Sequence, residues 1–227
     1  NIDEIIETSD GIMVARGDLG IEVPYYDVPT IQKMLIRKSN AKGIPVITAT
    51  QMLLSMTQNE RATRAEISDV ANAVLDGTDI VMLSEESAVG ENPVNVVETM
   101  HNIISQTEKI FDHEKRYKFT YLDEFDVIQA TVTKLADDLS ADGILSLTSS
   151  GNSARKMSRY RPITPLYTFA HDKETLTGLT ALWGDEPITT VKEAQASKMI
   201  QRMLRNLEKR EILNKKGLYI CTVGYPV

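Results

Sequence analysis

The sequence predicts an α/β protein whose strands are parallel and are each followed by a helix. Three apolar runs without polar alternation, "GIMVA", "PVITAT" and "DIVMLS", begin at residues 11, 45 and 79, a constant spacing of 34. Such runs are typical of parallel strands that are buried on both faces. A segment with helical periodicity follows each run, and a second alternation of helices and strands begins at residue 126. The chain is therefore expected to contain two α/β parts.

The helices of the first part are indicated by their apolar stripes and by their end signals. Residues 64–76 follow a capping box formed by Thr63 and Glu66, and Gly77 follows them as a stop signal. Residues 29–42 begin with a proline and are followed by a glycine. The apolar positions expected to face the core are Ile31, Met34, Leu35 and Ala41 in the first helix, Ile67, Val70, Ala71, Val74 and Leu75 in the second, and Val97, Met100, Ile104 and Phe111 in a third.

The three βα units of the first part are expected to lie side by side, because right-handed crossovers make consecutive strands parallel. Three units cannot close a barrel. They fit either an open, doubly wound sheet or three-eighths of a (βα)8 barrel. Residues 1–10 read as the end of a helix, and Asn1 is not an initiator methionine. We expect the chain to be a piece of a longer protein.

The second part begins after a charged and aromatic segment, residues 112–125, which we interpret as a connection or domain boundary. A helix with Ile128, Val132, Leu135 and Leu139 on one face is expected next. The further elements predicted are strands at 143–148, 165–170, 187–191 and 217–223, helices near 153–160 and 173–182, and a long helix that carries Met199, Ile200, Met203, Leu204 and Leu207.

The composition excludes some classes of function. The net charge of −7 disfavours a nucleic-acid or membrane-surface partner, since both usually require a basic face. Cys221 is the only cysteine in the sequence and cannot form an internal disulfide, which fits a reducing cytoplasm. No apolar stretch approaches the roughly 20 residues of a membrane span, and no signal-peptide pattern is present. We predict a cytoplasmic protein without a membrane or nucleic-acid partner.

Polar groups follow the first strand in a tight turn that contains two glycines, and the carboxyl ends of parallel strands are where α/β proteins collect their chemistry. Asp18 is either a hard oxygen ligand for Mg²⁺ or Mn²⁺, or a cap for the helical turn that follows. Gly17 and Gly20 either expose N–H groups to an anion or serve turn geometry alone. Arg16 is expected to pair with an anionic ligand, with Glu22 or with a neighbouring helix, and we favour a structural role.

Hydroxyl and carboxylate groups follow the next two strands. Thr50 either bonds a substrate carboxylate or caps the following segment, and Ser84 has the same two readings. Glu85 and Glu86 form either a carboxylate pair or two solvated side chains. No zinc spacing, P-loop or dinucleotide-binding motif occurs in the sequence. The residues alone therefore indicate a rim with a possible hard-metal and anion site.

A second candidate site lies in the second part, where a strand runs through a small polar loop into a helix. Hydroxyls and N–H groups at a helix N-terminus can cradle a phosphate, although a glycine turn followed by a serine cap has the same pattern. The residues of this candidate phosphate loop are Thr148, Ser149, Ser150, Gly151, Asn152 and Ser153.

Four segments, in order through nearly the whole chain, closely resemble the pyruvate kinase family. They are "SDGIMVARGDLGIEVP" (9–24), "GIPVITATQMLLSM" (43–56), "TRAEISDVANAVLDGTDIVMLSEESAVGENPV" (63–94) and "SARKMSRYRP" (153–162). The resemblance implies a partial (βα)8 barrel made of its last three βα units at residues 1–111. It implies a separate C-terminal, allosteric α/β domain at residues 112–227.

The resemblance also implies a reaction and roles for individual residues. Members of the family transfer the phosphoryl group of phosphoenolpyruvate to ADP, giving pyruvate and ATP in glycolysis, with Mg²⁺ or Mn²⁺ and commonly K⁺. Asp18 would be one of two carboxylate metal ligands. The N–H groups of Gly17 and Asp18, with the Thr50 hydroxyl, would hold the substrate carboxylate. Ser84 would belong to a proton relay, and Thr148–Ser153 would bind a sugar-phosphate or nucleotide effector.

Other features of the family are expected outside this chain. They are the catalytic lysine and second metal carboxylate of a Lys-x-Glu motif, the K⁺ ligands, and the side chains that grip the nucleotide. We therefore predict that these 227 residues alone are inactive. The family is usually tetrameric, and it has Ser-Gly-Glu-Thr where this chain has Ser84-Glu85-Glu86-Ser87. The alternatives are a non-catalytic sugar-phosphate-binding regulatory module and another barrel enzyme that uses phosphoenolpyruvate.

Overall fold

Two units make up the structure, a computed structural model that describes residues 1–113, 118–192 and 195–223. The first unit is Asn1–Asp112 and the second is His113–Val227. Part of the predicted connection at 112–125 and the last four residues of the predicted second domain lie outside the described residues.

Parallel strands followed by helices form the first unit, as the sequence predicts. Strands β1, β2 and β3 pair in that order, with Ile12 opposite Val46 and Ile47 opposite Ile80. The elements are α1 (Ile2–Thr8), β1 (Ile12–Ala15), α2 (Arg16–Glu22), a 3-10 turn (Tyr25–Asp27), α3 (Val28–Lys42), β2 (Val46–Ala49), a 3-10 turn (Leu54–Thr57), α4 (Arg64–Asp76), β3 (Ile80–Val81), α5 (Glu85–Ala88) and α6 (Pro93–Glu108).

The end signals read from the sequence are confirmed at α4. The Thr63 hydroxyl accepts the Glu66 N–H, and the Glu66 side chain accepts the Thr63 N–H in return. Gly77 ends the helix in the left-handed conformation, with φ 93°, which a glycine adopts without steric cost. This capping fixes both ends of the helix that later supplies Asp69 to the candidate site.

The core of the first unit agrees only partly with the predicted stripes. Ile67, Leu75 and Val97 are exposed, because the buried face of each helix is narrower than its apolar stripe. The third predicted strand is also too long, since β3 contains two residues. The buried apolar side chains of this unit include Val14, Ile36, Val46, Met52, Leu53, Met56, Val70, Val74, Val96 and Met100.

The second unit repeats the parallel α/β plan with a different strand order. Within the described residues its sheet runs β6-β5-β4-β7, and all of its pairs are parallel. The elements are α7 (Glu124–Asp138), β4 (Gly143–Thr148), α8 (Asn152–Ser158), β5 (Leu166–Ala170), α9 (Lys173–Gly178), β6 (Asp185–Thr190), α10 (Ala196–Lys209) and β7 (Tyr219–Val223).

The two faces of this sheet are covered by different helices. Met199, Met203 and Leu207 of α10 pack on one face, against Leu145 and Phe169. Residues of α7, α8 and the segment after α9 pack on the other face, which carries Ile144 and Leu166. Both faces are apolar, as expected for a parallel sheet.

Helix α7 contradicts the stripe predicted for it. Ile128, Leu135 and Leu139 are exposed, whereas Asp126 and Thr133 are fully buried. Polar side chains face inward here because they have partners: the Asp126 carboxylate forms a buried ion pair with Arg159 and accepts the Tyr160 hydroxyl and the Leu122 N–H. A buried charge is tolerated when it is paired and hydrogen-bonded.

The predicted fold class, α/β with parallel sheets, is confirmed in both units. Among the helices of the described residues, none has both the length and the apolar character needed to cross a bilayer.

Candidate active site

The candidate site of the first unit lies at the carboxyl end of its sheet. Parallel register aligns the ends of β1 and β2, since Ala15 lies opposite Ala49. Arg16–Asp18 therefore follow one strand at the same edge where Thr50 and Gln51 follow its neighbour. The predicted clustering of polar groups at one rim holds for these two segments.

The chain turns at residues 16–20 in a way that the sequence reading did not predict. Strand β1 leads directly into α2, so Arg16, Gly17 and Asp18 form the first turn of a helix. Gly17 and Gly20 do not have positive φ, and the prediction of a tight glycine turn is wrong. The N–H groups of a first helical turn have no acceptor within the helix, so these amides are available to other partners.

Gly17 and Thr50 are brought together across the rim. The Gly17 N–H donates to the Thr50 hydroxyl oxygen at 3.0 Å, across 33 residues of sequence. A Cβ atom at residue 17 would lie 3.8 Å from that oxygen, an ordinary van der Waals contact, so the two residues pack closely. The contact occupies the hydroxyl as an acceptor and leaves its own proton free to donate to a ligand.

The Thr50 backbone is strained. Thr50 has φ 70° and Gln51 has φ 52°, both in the left-handed region that residues with a Cβ atom rarely adopt. Such residues persist only when the surrounding structure holds them, and they concentrate at binding and catalytic sites. The strain therefore marks this loop as a site candidate on grounds independent of its sequence.

Arg16 holds this strained segment through its backbone carbonyls. Its guanidinium donates to the Thr50 carbonyl at 2.6 Å and to the Ala49 carbonyl at 3.2 Å. It also pairs with Asp69 of α4, through N–O distances of 2.6 and 2.7 Å. Of the partners considered for Arg16 from the sequence, the structure selects a neighbouring helix.

Asp18 follows Gly17 in the first turn of α2. It is exposed, and within the described residues its carboxylate has no hydrogen-bond or ion-pair partner. A carboxylate in the first turn of a helix is stabilised by the helix dipole, whether or not a ligand binds. The side chain is thus accessible to a cation, as a metal-ligand reading requires.

A divalent cation needs more donors than this rim supplies. No cluster of three or more His, Cys, Asp or Glu side chains suited to a metal ion exists in the described part of the chain. Mg²⁺ demands near-octahedral oxygen coordination and dehydrates reluctantly. Asp18 by itself does not make a complete site for it.

The two glutamates after Ser84 do not form a carboxylate pair. Glu86 is 1% exposed, and its carboxylate accepts the Leu53 N–H at 3.1 Å and the Ser84 N–H at 2.8 Å. Glu85 is exposed and lies on the solvent side of α5. The reading of both as solvated is therefore wrong for Glu86, which ties the loop after β3 to the loop after β2.

Ser84 itself is fixed through its backbone. Its carbonyl accepts the Ala88 N–H as the cap of α5, and its N–H is held by Glu86. The described contacts include no hydrogen bond between Ser84 and Thr50 or Asp18. The structure thus places Ser84 at the end of the third strand without joining it to the Gly17–Thr50 pair.

Glu66 secures the far end of the loop that follows β2. Its carboxylate accepts the backbone N–H and the hydroxyl of Ser55 at 2.7 and 2.5 Å, in addition to its capping contacts with Thr63. Burial would raise the pKa of Glu66, but the hydrogen bonds from Ser55 and Thr63 outweigh it and lower the pKa below its usual value. Glu66 is therefore a carboxylate at neutral pH, and the loop is held by an ionised acceptor.

The candidate phosphate loop of the second unit has the predicted form of a strand, a glycine turn and a helix start. Gly151 has φ 82° and precedes α8, and its N–H donates to the Thr148 hydroxyl at 2.9 Å. Ser149, Ser150 and Asn152 are exposed, whereas Ser153 is buried. The first N–H groups of α8 have no intrahelical acceptors, as in any first helical turn.

A cation borders this loop that the sequence reading left out. Arg155, on the first turn of α8, donates to the Ser150 carbonyl at 3.2 Å. A Cβ atom at residue 151 would lie 2.9 Å from its guanidinium. The signal for Arg155 was its position three residues after the helix start, which folds a long side chain back over the preceding loop.

Two family models match the chain and together span most of it. The one described as pyruvate kinase, barrel domain, matches residues 1–97, and the one described as pyruvate kinase, alpha/beta domain, matches residues 126–227. The chain belongs to the pyruvate kinase family. The order of the two matches is that of the two units, so the resemblance read from the four sequence segments is confirmed.

Relatives and solved structures agree with this assignment. The chain is 44% identical, over 100% of its length, to 39% of a pyruvate kinase from Lactobacillus delbrueckii subsp. bulgaricus. It is 43% identical, over its whole length, to 49% of one from Clostridium acetobutylicum. The crystal structure of a pyruvate kinase from Cryptosporidium parvum superposes with a TM-score of 0.91 at 37% identity, covering 99% of this chain and 46% of that one. The chain thus spans less than half the length of these relatives.

Proposed function

We propose that this chain is part of a pyruvate kinase, which transfers the phosphoryl group of phosphoenolpyruvate to ADP and yields pyruvate and ATP in glycolysis. The observation that carries the proposal is the Gly17–Thr50 contact, with the exposed Asp18 as the next residue of the same helical turn, in a chain that belongs to this family. Strained backbone at the same place supports a binding role. Residues 1–111 would form the last part of the catalytic barrel.

The substrate carboxylate would be held by this chain's own donors. The N–H groups of Gly17 and Asp18 lie in the first turn of α2, where backbone donors and the helix dipole favour an anion. The Gly17 N–H, which donates to the Thr50 hydroxyl in the structure, would share its donation with the bound carboxylate. The Thr50 hydroxyl would rotate its free proton toward the same carboxylate. These groups would orient the substrate so that its phosphoryl group faces the nucleotide.

Proton delivery completes the reaction, because cleavage of the phosphoryl bond leaves an enolate whose methylene carbon must gain a proton. Thr50 would lie near the face of the enolate that is protonated. Ser84, held by Glu86 at the next strand end, would belong to a water network that supplies the proton. This assignment places the acid side of the chemistry on the ends of β2 and β3.

The metal requirement follows from the family and is met only in part here. Asp18 would supply one oxygen ligand to Mg²⁺ or Mn²⁺, an ion that neutralises charge on the phosphoryl group and the enolate oxygen when bound. The described residues do not complete that ion's coordination. Its further ligands, and those of K⁺, would come from polypeptide outside this chain, and for this reason we propose that these residues alone are inactive.

The second unit, within residues 112–227, would be the allosteric domain. The loop Thr148–Ser153 offers hydroxyls and amides at a helix start, with Arg155 beside it, and would bind the phosphate of a sugar-phosphate or nucleotide effector. Because the described contacts of this loop lie within the second unit, the same observation favours the second candidate, a non-catalytic module that binds a sugar phosphate. We further propose a cytoplasmic homotetramer, as is usual in the family.

The catalytic proposal is tested by pyruvate formation from phosphoenolpyruvate and ADP in the full-length protein. We expect Thr50→Ala to lower kcat/KM about 10²-fold, the range typical of a lost positioning contact, and Thr50→Ser to recover most of it. Thr30→Ala, which removes an exposed hydroxyl on α3, is the matched control and should leave the rate unchanged. A full-length protein that forms no pyruvate would contradict the proposal, and turnover by the 227-residue chain would contradict its inactivity.

The effector proposal is tested by calorimetry with fructose bisphosphate, ribose 5-phosphate and AMP. We expect one of them to bind the full-length protein, and Ser150→Asp to abolish that binding by placing a negative charge in the loop. Absence of heat with all three compounds would remove the effector role.

A further inference from the structure

We infer that Arg16 and Asp69 are a positioning pair that holds the Thr50 hydroxyl in its substrate-binding place. The inference rests on the proposed function, because it assigns a role in the same reaction to two residues outside the predicted site. Neither residue would touch the substrate. Each would act through the backbone of the loop after β2.

The need for such a pair comes from the backbone of Thr50 and Gln51. Both are left-handed, and neither is a glycine, an asparagine or an aspartate, the residues that tolerate this region best. Left to itself, the segment would relax to an ordinary φ and carry the hydroxyl away from Gly17. Something in the tertiary structure must therefore oppose the relaxation.

Arg16 grips the strained segment on its carbonyl side. The guanidinium presents a rigid fork of N–H donors, and here the fork meets the carbonyls of Ala49 and Thr50 at once. The side chain is only 13% exposed, so these contacts are shielded from water. Lysine, with a single ammonium group, could not reproduce the fork.

Asp69 anchors the fork to a rigid element. It pairs with one arm of the Arg16 guanidinium and leaves the other arm directed at Thr50. It lies in the middle of α4, a helix that is capped at both ends. Through this pair, the position of Thr50 is fixed relative to α4 as well as to the adjoining strand.

Two consecutive residues, Arg16 and Gly17, hold Thr50. Arg16 holds its carbonyl through a side chain, and Gly17 holds its hydroxyl through a backbone N–H. Since residues 16 and 17 belong to one helical turn, the carbonyl and the hydroxyl of Thr50 are both held by the same turn. A positioning role follows from this shared attachment.

A double-mutant cycle between Arg16 and Thr50 tests the inference in the full-length protein. We expect Arg16→Lys to lower kcat/KM about 10²-fold in the wild-type background. In the Thr50→Ala background, where no hydroxyl remains to be positioned, we expect Arg16→Lys to change it by less than about threefold. Effects that multiply independently would overturn the inference.

Helix α4 offers a matched pair of variants for the second arm. Asp69→Asn is expected to raise the KM for phosphoenolpyruvate about tenfold with a smaller change in kcat, since substrate binding is the step that needs the hydroxyl. Asp76 lies at the C-terminal end of α4, away from the rim, and pairs with Lys33 of α3. Asp76→Asn breaks that ion pair and should leave both constants unchanged. Equal effects of the two variants would assign Asp69 a structural role and overturn the inference. Asp69→Asn also carries the test if Arg16→Lys does not fold.

Hydrogen exchange at the Gly17 amide separates this inference from the proposed function. We expect Arg16→Lys to speed exchange of that amide about tenfold in the full-length protein, because its acceptor moves away. An unchanged exchange rate would overturn the positioning role even in an active enzyme. A wild-type protein without activity would overturn the proposed function, and faster exchange in the variant would still support the positioning of Thr50 by Arg16.

Discussion

The loops after β2 and β4 meet the same geometric demand in different ways. Each follows a parallel strand, and each contains left-handed backbone, at Thr50 in the first unit and at Gly151 in the second. Thr50 is held by Gly17 and Arg16, from more than 30 residues away in sequence. Gly151 needs no such support, because a glycine adopts its φ freely.

The contacts of the second loop are mostly local by contrast, apart from a hydrogen bond of 3.4 Å from the Thr175 hydroxyl to the Ser149 carbonyl. Gly151 donates to a hydroxyl three residues before it, and Arg155 donates to a carbonyl five residues before it. A locally encoded loop forms wherever its strand and helix form, whereas the loop with Thr50 requires β1, α2 and α4 together. The difference teaches that the first loop is preorganised by the fold and the second by its own sequence.

The largest expected effect tests whether the local loop is truly independent of distant contacts. Helix α8, which follows it, is anchored by the fully buried pair of Arg159 and Asp126. We expect Asp126→Ala to lower the free energy of unfolding of the second unit by about 3–5 kcal/mol, because the buried Arg159 charge would lose its carboxylate partner and keep a hydrogen bond to the Thr120 carbonyl. Urea unfolding of the chain, followed by the fluorescence of Trp183, measures the loss.

The control for this variant lies on the same helix. Asp138 forms an exposed pair with Lys134, one turn away, and Asp138→Ala should change stability by less than about 0.5 kcal/mol. A cost below about 1 kcal/mol for Asp126→Ala would show that α8 is held by its apolar contacts, and the comparison between the loops would become sharper.

The next expected effect is a pH dependence in the stability of the second unit. Burial raises the pKa of Asp185, at the start of β6, to about 7, although Thr168 donates a hydrogen bond that opposes the shift. The folded state therefore binds a proton that the unfolded state releases near its ordinary pKa of 3.8. The stabilisation is complete below that unfolded pKa and is lost as the pH rises through about 7.

Unfolding measured from pH 4 to pH 8 checks this expectation. The difference in unfolding free energy between the wild type and Asp185→Asn should fall with rising pH, by up to about 1.4 kcal/mol per pH unit between pH 5 and 7. The subtraction cancels the carboxylates that titrate in both proteins. A difference that does not vary with pH would mean that Asp185 is ionised in the folded state.

A reciprocal exchange tests the two left-handed residues directly. We expect Gly151→Ala to destabilise the second unit by about 1–2 kcal/mol, because alanine resists a φ of 82°; the Arg155 guanidinium, 2.9 Å from the added Cβ, can move aside. Thr50→Gly should change stability by less than about 1 kcal/mol, since the strain that it relieves offsets the freedom that it adds to the unfolded chain. Thermal unfolding of both variants measures the contrast. A large loss of stability for Thr50→Gly would show that the hydroxyl contact with Gly17, not the contact of Arg16 with the carbonyl, maintains the loop.

Sequence reasoning predicted the features that depend on neighbouring residues. The capping box of Thr63 and Glu66, the glycine stop at Gly77 and the glycine turn at Gly151 are all local signals, and the structure contains each of them. The family resemblance rests on such segments too. Local chemistry is read directly from the order of the residues.

Features that depend on distant partners were not predicted. The partner of Arg16 lies 53 residues away, and the two backbone N–H donors that hold the buried Glu86 carboxylate come together only when two loops meet. The stripe predicted for α7 was wrong for the same reason, since the buried Asp126 pairs with Arg159, the residue that follows α8. Left-handed backbone at Thr50 could not be predicted either, because no local residue favours it.

The smallest expected effect compares buried hydroxyls on the two sheets. Ser146 on β4 is fully buried, and its hydroxyl has no hydrogen-bond partner among the described residues, so Ser146→Ala removes a group that contributes nothing. We expect the unfolding free energy to stay within about 0.5 kcal/mol of the wild type or to rise slightly. Thr48 on β2 donates to Thr78, so Thr48→Val should cost about 1 kcal/mol. Denaturant unfolding of both variants measures the pair, and a loss above about 1 kcal/mol for Ser146→Ala would reveal a buried water bound to that hydroxyl.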